Sequence, residues 1–242
     1  MNNSCIIGHT GFVGSNLKNS MIFVDFYNSK NILEIKNKKY DLCVIAAPSA
    51  VKWKANKEPI QDLKSITSLL EILHDSHFKK VVLISTIDVY GDQVNLGLNE
   101  KDIPKWEVHP YGRNRKILET FLSDRFDCSV IRLPGLFGPG LKKNIIFDLM
   151  NDNMIHSISL DTEFQWLNLE TLPEIIEFKG NLWESMIINI KNNWNIKSLV
   201  WKDNEKRKYN QKEKKYIESS EYDTNLNRFI NNLYSNIIRQ IE

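Results

Sequence analysis

The chain has 242 residues, of which 42% are hydrophobic and 26% charged, so it is long enough for one large globular domain or for one domain with a small annex. Its 32 Lys and Arg residues nearly balance its 30 Asp and Glu residues, and this balance provides no long-range attraction to nucleic acid or to a membrane surface. The sequence has neither the roughly 20-residue apolar run of a membrane span nor a signal-peptide pattern, which predicts a cytoplasmic protein. Three cysteines, each within an apolar run, favour buried thiols over a disulfide or metal site: Cys5, Cys43 and Cys128.

Apolar runs without polar alternation predict strands that are buried on both faces of a parallel sheet. These runs cover residues 5–7, 22–27, 42–47, 81–86 and 128–133. Between them, apolar residues recur at three- and four-residue steps over 60–73 and 117–122, which predicts amphipathic helices. This alternation of strand and helix predicts an α/β fold with a Rossmann-like doubly wound parallel sheet.

The pattern changes after Pro134, where glycine and proline crowd the chain and the predicted segments become shorter. We therefore predict a sheet domain over 1–134 and a small, partly interleaved region over 135–242. At the end of the chain, an apolar stripe over 226–241 predicts a terminal helix. The basic stretch 202–215 is predicted to be a solvated loop, with a phosphate-binding arm as the alternative.

Three glycines follow the first predicted strand directly and precede a helical segment: Gly8, Gly11 and Gly14. This is the arrangement that a dinucleotide diphosphate needs, because the glycines permit a tight turn, a close approach to the backbone and close packing of the helix. The helix N-terminus adds backbone amides and a partial positive charge. We therefore predict dinucleotide contacts over the whole loop, from Gly8, Thr10, Gly11, Phe12, Val13 and Gly14.

With the motifs that follow, the chain resembles the extended branch of the short-chain dehydrogenase/reductase superfamily, which contains nucleotide-sugar epimerases, dehydratases and ketoreductases. Residues 84–91 (ISTIDVYG) resemble its active-site strand, and 110–119 (PYGRNRKILE) resemble the helix that carries its catalytic tyrosine. Residues 132–140 (RLPGLFGPG) resemble the strand and turn that open its substrate domain, and 164–169 (FQWLNL) fall at a strand that crosses beneath the substrate. The four motifs occur in the family's order.

The resemblance implies a dinucleotide-binding domain, a substrate-binding region and a nucleotide-linked sugar as substrate, in surface-polysaccharide biosynthesis. It implies a homodimer through helices over 60–75 and 111–124. In this scheme Thr86 orients the reacting oxygen, Tyr111 relays the hydroxyl proton, and Arg115 holds the nicotinamide ribose and tunes Tyr111. Further cofactor contacts are expected from Ala46, Ala47, Pro48 and Pro134. Substrate contacts are expected from Thr86, Asp88, Lys143, Asn144 and Gln165.

The sequence departs from the family's pattern at two positions. The family's tyrosine is followed four residues later by lysine, whereas Tyr111 is followed by Arg115, whose planar fork is bulkier and cannot release a proton. The family's 4,6-dehydratases carry an acid where this chain has Ile87, which disfavours 4,6-dehydration and favours a keto-sugar reductase or an epimerase. Asp88 is then either a base or a turn carboxylate. The alternative function is a non-enzymatic dinucleotide-binding regulatory or interaction protein.

The choice between NAD and NADP is expected about 20 residues after the first glycine, where an acidic side chain holds the adenosine ribose of NAD. Counting along the chain leads to Asn28, Ser29 and Lys30. These residues include one cation and no carboxylate, which favours the 2′-phosphate of NADP. NAD is the alternative, with Asp25 as the ribose ligand if the second strand ends at Val24.

Overall fold

The computed structural model describes residues 3–96, 108–153, 163–180, 187–189 and 193–195. The strands are β1 (Ser4–Ile7), β2 (Asp25–Tyr27), β3 (Lys39–Ile45), β4 (His77–Thr86), β5 (Cys128–Leu133), β6 (Gly135–Phe137), β7 (Glu163–Asn168), β8 (Ile187–Asn189) and β9 (Asn193–Asn195). The α-helices are α1 (Phe12–Ser20), α2 (Lys52–Lys57), α3 (Pro59–His74), α4 (Pro110–Arg125), α5 (Ile145–Met150) and α6 (Leu172–Gly180). The predicted terminal helix and the basic stretch 202–215 lie outside the described residues.

Six strands form one parallel sheet in the order β2-β1-β3-β4-β5-β8. The chain winds from β1 to β2 in one direction and then crosses back over β1 to β3, so the winding reverses between β1 and β3. In open α/β sheets, ligands bind outside the carboxyl ends of the strands at this reversal. The predicted Rossmann-like doubly wound sheet is confirmed.

The common dinucleotide-binding sheet has the strand order 3-2-1-4-5-6, with one further strand beside its second strand. In the described part of this chain no strand lies at that position. The connection from β2 to β3 covers only residues 28–38 and contains one 3₁₀ turn, Ile32–Ile35. In the described part of the chain, β2 is therefore the edge strand. The side of the sheet where a dinucleotide would place its adenosine is formed by β2, the residues after it and the glycine loop.

The second strand is shorter than its apolar run predicts. The run 22–27 contributes only Asp25–Tyr27 to the sheet, while Ile22 is 88% exposed and lies in the connection from α1. The Ser4 hydroxyl donates to the Ile22 carbonyl, and Val24 N–H donates to the Ser4 carbonyl, so these residues hold the connection to β1. An apolar run of six residues here combines a loop and a strand.

The sheet is buried on both faces, as the runs without polar alternation predict. All four residues of β1 are buried. The helices α3 and α4 cover one face with five leucines and Ile66, which belong to the same core as residues of β1, β3, β4 and β5. The three cysteines are buried free thiols, and Cys5 pairs in register with Cys43. Within the described residues, no helix is long and apolar enough to cross a membrane.

The described residues group into two compact units. The first contains the six-stranded sheet and includes the chain up to Leu136 and again from Leu169. The second begins at Phe137 and contains β7 and β9, and a core cluster in it includes Phe137, Ile146 and Trp166. The sequence predicts a partly interleaved region over 135–242. Within that range, Leu169–Ile190 belongs to the first unit, where β8 pairs with β5 in the large sheet.

Candidate cofactor and active site

The glycine loop after β1 is packed against the turn that follows β3. Gly8 has φ +90°, and a Cβ at this position would lie 2.3 Å from the Ala46 carbonyl oxygen. A Cβ at Gly14 would lie 2.1 Å from the Gly8 carbonyl oxygen, because the first turn of α1 packs directly on the loop. Contacts within the chain therefore require glycine at both positions. They also bring the predicted turn Ala46, Ala47 and Pro48 beside the loop, at the reversal of the sheet.

Gly11 differs from the other two glycines, because no contact within the described chain requires it. Its φ is −77°, and a Cβ would meet only the Gly8 carbonyl oxygen at an ordinary 3.5 Å. Gly11 is the N-cap of α1, and no side chain caps the helix. The amides of Phe12, Val13 and Gly14 are in the first turn, where backbone N–H groups have no partner within the helix. The open space and these amides fit a diphosphate; Thr10 is exposed beside them.

The chain after β2 turns directly beside the glycine loop. Gly8 N–H donates to the Tyr27 carbonyl at 2.8 Å, so the end of β2 and the start of the loop are hydrogen-bonded. The Asn28 Oδ1 accepts from Lys30 N–H at 2.8 Å, and its Nδ2 lies 3.1 Å from the Nε2 atom of His9. Lys30 is exposed. The predicted cofactor-selecting residues are therefore next to the loop that would bind the diphosphate.

The structure contradicts the alternative in which β2 ends at Val24 and Asp25 binds the ribose. Asp25 is the first residue of β2, and the strand ends at Tyr27. The Asp25 carboxylate accepts hydrogen bonds from the Tyr40 hydroxyl and from Lys38 Nζ. These hydrogen bonds, of which the bond from Tyr40 contributes most, lower the pKa of Asp25. The carboxylate therefore belongs to a structural cluster near the amino end of the strand, away from the glycine loop.

At the carboxyl end of β4, Asp88 connects Thr86 to a lysine. The Thr86 hydroxyl donates to Asp88 Oδ2 at 3.0 Å, and Asp88 N–H donates back to Thr86 Oγ1 at 3.1 Å. Lys52 Nζ, on α2, lies 2.5 Å from Asp88 Oδ1. Because the carboxylate takes the single proton of Thr86, the Thr86 oxygen is left as an acceptor. In this arrangement Thr86 Oγ1 can accept a hydrogen bond from a substrate hydroxyl. Thr86 can donate to a substrate carbonyl only if its O–H bond rotates away from Asp88.

His109 joins this carboxylate to the start of α4. It is the N-cap of the helix, and its Nδ1 accepts from Gly112 N–H at 3.2 Å, so the other ring nitrogen carries the proton in the neutral state. That nitrogen, Nε2, lies 3.5 Å from Asp88 Oδ1. A Cβ at Gly112 would lie 2.1 Å from the Asp88 carbonyl oxygen, so only glycine lets α4 approach this closely. The His109 ring stacks on Tyr111 at 6.4 Å between centroids.

Tyr111 is buried in the first turn of α4, beneath the guanidinium of Arg115. The guanidinium carbon lies 4.4 Å from the centre of the Tyr111 ring. Arg115 is itself 4% exposed and forms a bidentate ion pair with Asp62 on α3, at 2.7 and 3.0 Å. It also donates to the Ser49 carbonyl at 2.7 Å. Three of the five N–H groups of Arg115 are thus used within the protein, and the cation fixes α4 to α3 and to the loop after β3.

Burial raises the pKa of Tyr111 above its ordinary value. The Arg115 charge opposes this rise, while the carboxylates of Asp88 and Asp62 add to it. The predicted tuning of the tyrosine by Arg115 therefore has the expected direction, but in the free protein it is outweighed by burial. Tyr111 is a protonated phenol at neutral pH, which suits it to donate a proton.

A buried ionic network lies behind the site and was not predicted. Arg132 on β5 is fully buried and forms two hydrogen bonds with Glu119 of α4, at 3.0 and 2.7 Å. It also donates to the Tyr90 hydroxyl, and the Ser85 hydroxyl donates to Glu119 at 2.6 Å. Ser85 precedes Thr86 in β4. The network therefore fixes the active-site strand to the tyrosine-bearing helix.

The remaining predicted residues lie in different places. Pro134 is buried directly after β5 in the first unit. Lys143 and Asn144 lie in the second unit, where Lys143 is exposed and Asn144, with φ +120°, caps α5 by accepting from two backbone N–H groups. Gln165 lies in β7, in register with Asn193. The Asn144 side chain therefore has a structural role as the cap of α5.

Sequence reasoning assigned no role to the partners that hold the site together. Asp62 lies in α3, whose local pattern predicts only an amphipathic helix. Lys52 and Asn56 lie in α2, a short helix that the sequence pattern did not predict, and Asn56 Oδ1 accepts from Tyr111 N–H at 2.9 Å. Gly112 carried a usable signal, because a glycine in the first turn of a helix is unfavourable unless another backbone approaches closely. His109 was recognisable as a residue before Pro110, but not as a cap.

No family model and no curated protein matches the chain. Solved structures do match. A UDP-N-acetylglucosamine 4-epimerase from Methanobrevibacter ruminantium M1, in complex with UDP-N-acetylmuramic acid, is 17% identical with a TM-score of 0.68, over 83% of this chain and 80% of that one. TunA, an NAD-dependent NDP-hexosamine 5,6-dehydratase of tunicamycin biosynthesis, is 16% identical with a TM-score of 0.67, over the same shares. RMD from Pseudomonas aeruginosa, complexed with NADPH, is 18% identical with a TM-score of 0.62, over 83% and 80%.

These similarities are to proteins below 20% identity, so what they establish is the fold. The matches extend over most of both chains, and they include an epimerase and a dehydratase of nucleotide sugars. The resemblance predicted from the four ordered motifs is therefore confirmed at the level of the fold. Activity and substrate are matters for the site itself.

Proposed function

We propose that this chain, which has the Rossmann-like fold of the NAD-dependent epimerases and dehydratases, binds a nicotinamide dinucleotide and modifies the sugar of a nucleotide-activated sugar. The reaction is the reduction of a keto-sugar, or epimerisation through a ketone, in surface-polysaccharide biosynthesis. The observation that carries this proposal is the chain of contacts from Thr86 through Asp88 and His109 to Tyr111. It joins two hydroxyl-bearing side chains at the carboxyl edge of the sheet, where the glycine loop also lies.

In the proposed site, the glycine loop and the amides of Phe12, Val13 and Gly14 bind the diphosphate of the cofactor. A bound nicotinamide supplies the hydride that is exchanged with the sugar carbon. Tyr111 transfers the phenolic proton at Oη to the developing alkoxide during reduction, and takes it back in the reverse direction. Thr86 orients the reacting oxygen. The protonated state that burial favours for Tyr111 supports the role of proton donor.

Arg115 acts on Tyr111, and Asp88 acts on Thr86. Arg115, stacked on Tyr111, favours the phenolate that remains after proton transfer. Its two N–H groups outside the contacts with Asp62 and Ser49 are the ones proposed to reach the nicotinamide ribose. Asp88 is paired with Lys52 and holds the Thr86 hydroxyl, so we propose that it positions Thr86 beside the substrate.

The proposed cofactor is NADP rather than NAD. The residues after β2 carry a lysine and no carboxylate, and Asp25 is engaged with Tyr40 and Lys38. The proposed substrate contacts in the second unit are Lys143, Asn144 and Gln165. We further propose a cytoplasmic location, which the three buried free thiols support. The homodimer through α3 and α4 is also part of the proposal, and its mass in solution tests it.

The test is a panel of 4-keto and hydroxy nucleotide sugars, followed by nicotinamide absorbance, with product analysis for epimerisation. Tyr111→Phe removes only the phenolic oxygen, so we expect a turnover about 10² to 10⁴ times lower. The affinity for the dinucleotide should remain within twofold, because the aromatic ring still supports Arg115. A panel without any turnover, together with tight dinucleotide binding, would refute the catalytic proposal.

The second candidate function is a non-enzymatic dinucleotide-binding protein. The observation in its favour is that Arg115 is committed to Asp62 and Ser49, as expected for a cation that stabilises helix packing. The two candidates differ in one measurable respect. If binding is the function, neither the wild type nor Tyr111→Phe turns over any sugar of the panel, and both bind the dinucleotide with the same affinity.

A further inference from the structure

We propose that His9 determines the cofactor specificity of this protein, by donating a hydrogen bond from Nδ1 to the phosphate on the adenosine ribose of a 2′-phosphorylated dinucleotide. This inference rests on the proposed dinucleotide site and deepens it. His9 follows Gly8 directly in the glycine loop.

His9 lies beside Asn28. Asn28 stands about 20 residues after the first glycine, at the position from which a dinucleotide-binding protein contacts the 2′-oxygen of the adenosine ribose. The side-chain amide of Asn28 lies 3.1 Å from His9 Nε2. The imidazole is half-buried, and its ring meets Phe26 edge to face at 5.8 Å. His9 is therefore held beside the ribose-recognising position.

The hydrogen bonds of Asn28 determine which ring nitrogen of His9 carries the proton. Asn28 Oδ1 accepts from Lys30 N–H, so the atom that faces His9 is Nδ2, which can only donate. His9 Nε2 must then accept, and the imidazole proton resides on Nδ1. No other residue in the described part of the chain forms a hydrogen bond with His9. Nδ1–H is thus a fixed donor without a partner in the described chain.

The charges around this donor suit an anion. Lys18 Nζ, on α1, lies 5.3 Å from the centre of the Phe26 ring that His9 contacts, and the exposed Lys30 follows Asn28. The carboxylate of β2 belongs to Asp25, which is engaged by Tyr40 and Lys38. Burial, followed by the charge of Lys18, lowers the pKa of His9, which favours the neutral ring. The contact with Asn28 then leaves the proton on Nδ1.

The same donors explain why a phosphate fits better than a hydroxyl. A ribose 2′-hydroxyl is best held by a carboxylate that accepts its proton, as in NAD-specific sites. His9 Nδ1–H and the two ammonium groups offer only donors. A 2′-phosphate carries a charge near −2 at pH 7 and has three acceptor oxygens, so it matches all three groups.

Calorimetric titration of NADPH and NADH into the wild type and His9→Phe tests the assignment. Phenylalanine retains the ring against Phe26 and removes the donor. We expect NADPH affinity to fall about tenfold or more, the effect of losing one hydrogen bond to a charged group, and NADH affinity to change less than twofold. His77→Phe, an exposed histidine at the amino end of β4, is the control and should change neither.

A second measurement does not depend on any variant of His9. The ¹⁵N spectrum of the imidazoles of the wild type should show His9 protonated at Nδ1, and Asn28→Asp should move the proton to Nε2, because a carboxylate accepts. Equal effects of His9→Phe on both dinucleotides, or an Nε2-protonated His9 in the wild type, would overturn the proposal for His9. If neither dinucleotide binds the wild type, the proposed dinucleotide site itself fails.

Discussion

Gly11→Ser is expected to stabilise the free protein while it weakens dinucleotide binding. Gly11 is the N-cap of α1, with φ −77° and ψ 171°, the extended conformation in which a serine oxygen accepts from a backbone N–H of the first turn. A Cβ there meets only the Gly8 carbonyl oxygen, at 3.5 Å. A new cap contributes a few tenths of a kcal/mol, and replacement of glycine about 0.4–1 kcal/mol through the unfolded chain. The sum is about 1 kcal/mol, or an increase in Tm of about 2–4 °C.

The same side chain occupies the space and one of the amides that the proposed diphosphate needs. The loss of one hydrogen bond to a charged group lowers affinity by at least about tenfold. Thermal unfolding and calorimetric titration with NADPH and NADH, on the same preparations, measure the two effects. Gly14→Ala provides the contrast, because its Cβ would lie 2.1 Å from the Gly8 carbonyl oxygen and should cost about 1–3 kcal/mol of stability.

Two results would refute this reasoning. If Gly11→Ser bound both dinucleotides with unchanged affinity, the space beside Gly11 would not be the diphosphate site. If Gly14→Ala were as stable as the wild type, the close approach of α1 to the loop would not be what requires glycine there.

Three further predictions concern buried groups. Glu119→Ala leaves the Arg132 charge without its carboxylate and should cost about 3–5 kcal/mol in denaturant unfolding; Glu119→Gln keeps the shape and should cost less, and equal costs would contradict an ionic role. By NMR of ¹³C-labelled tyrosine, assigned with Tyr111→Phe, the Tyr111 phenol should titrate above its ordinary pKa. Arg115→Met should raise the pKa of Tyr111 further, since the opposing charge is lost, and Arg115→Lys should restore the wild-type pKa. A lower Tyr111 pKa in Arg115→Met would contradict this effect of the Arg115 charge. A thiol reagent should label no cysteine in the native protein and all three in denaturant, because the three thiols are buried and the reagent cannot reach them. Burial also raises the pKa of Cys43, and raises that of Cys128 to about 12. Labelling in the native state would contradict the buried core.

Much of the fold follows from local pattern. Runs without polar alternation predicted five of the six strands of the large sheet, all but β8, because strands covered by helices on both faces need apolar side chains at successive positions. Glycine spacing predicted the loop after β1, because backbone contacts at Gly8 and Gly14 leave no room for a side chain. The run 22–27 was misleading, since exposed apolar residues in a connection have the same composition as a strand.

The sequence by itself determined the glycine loop, the motif order and the absence of a carboxylate at the three residues that follow β2, 28–30. Only the tertiary structure decided what those residues contact. Asp62 pairs with Arg115 across 53 positions, and His109 meets a carboxylate of another element. Such pairs depend on how helices pack on the sheet, and packing brings together residues whose sequence separation follows no local period. The same reason explains why the return of β8 to the sheet and the contact between His9 and Asn28 are visible only in three dimensions.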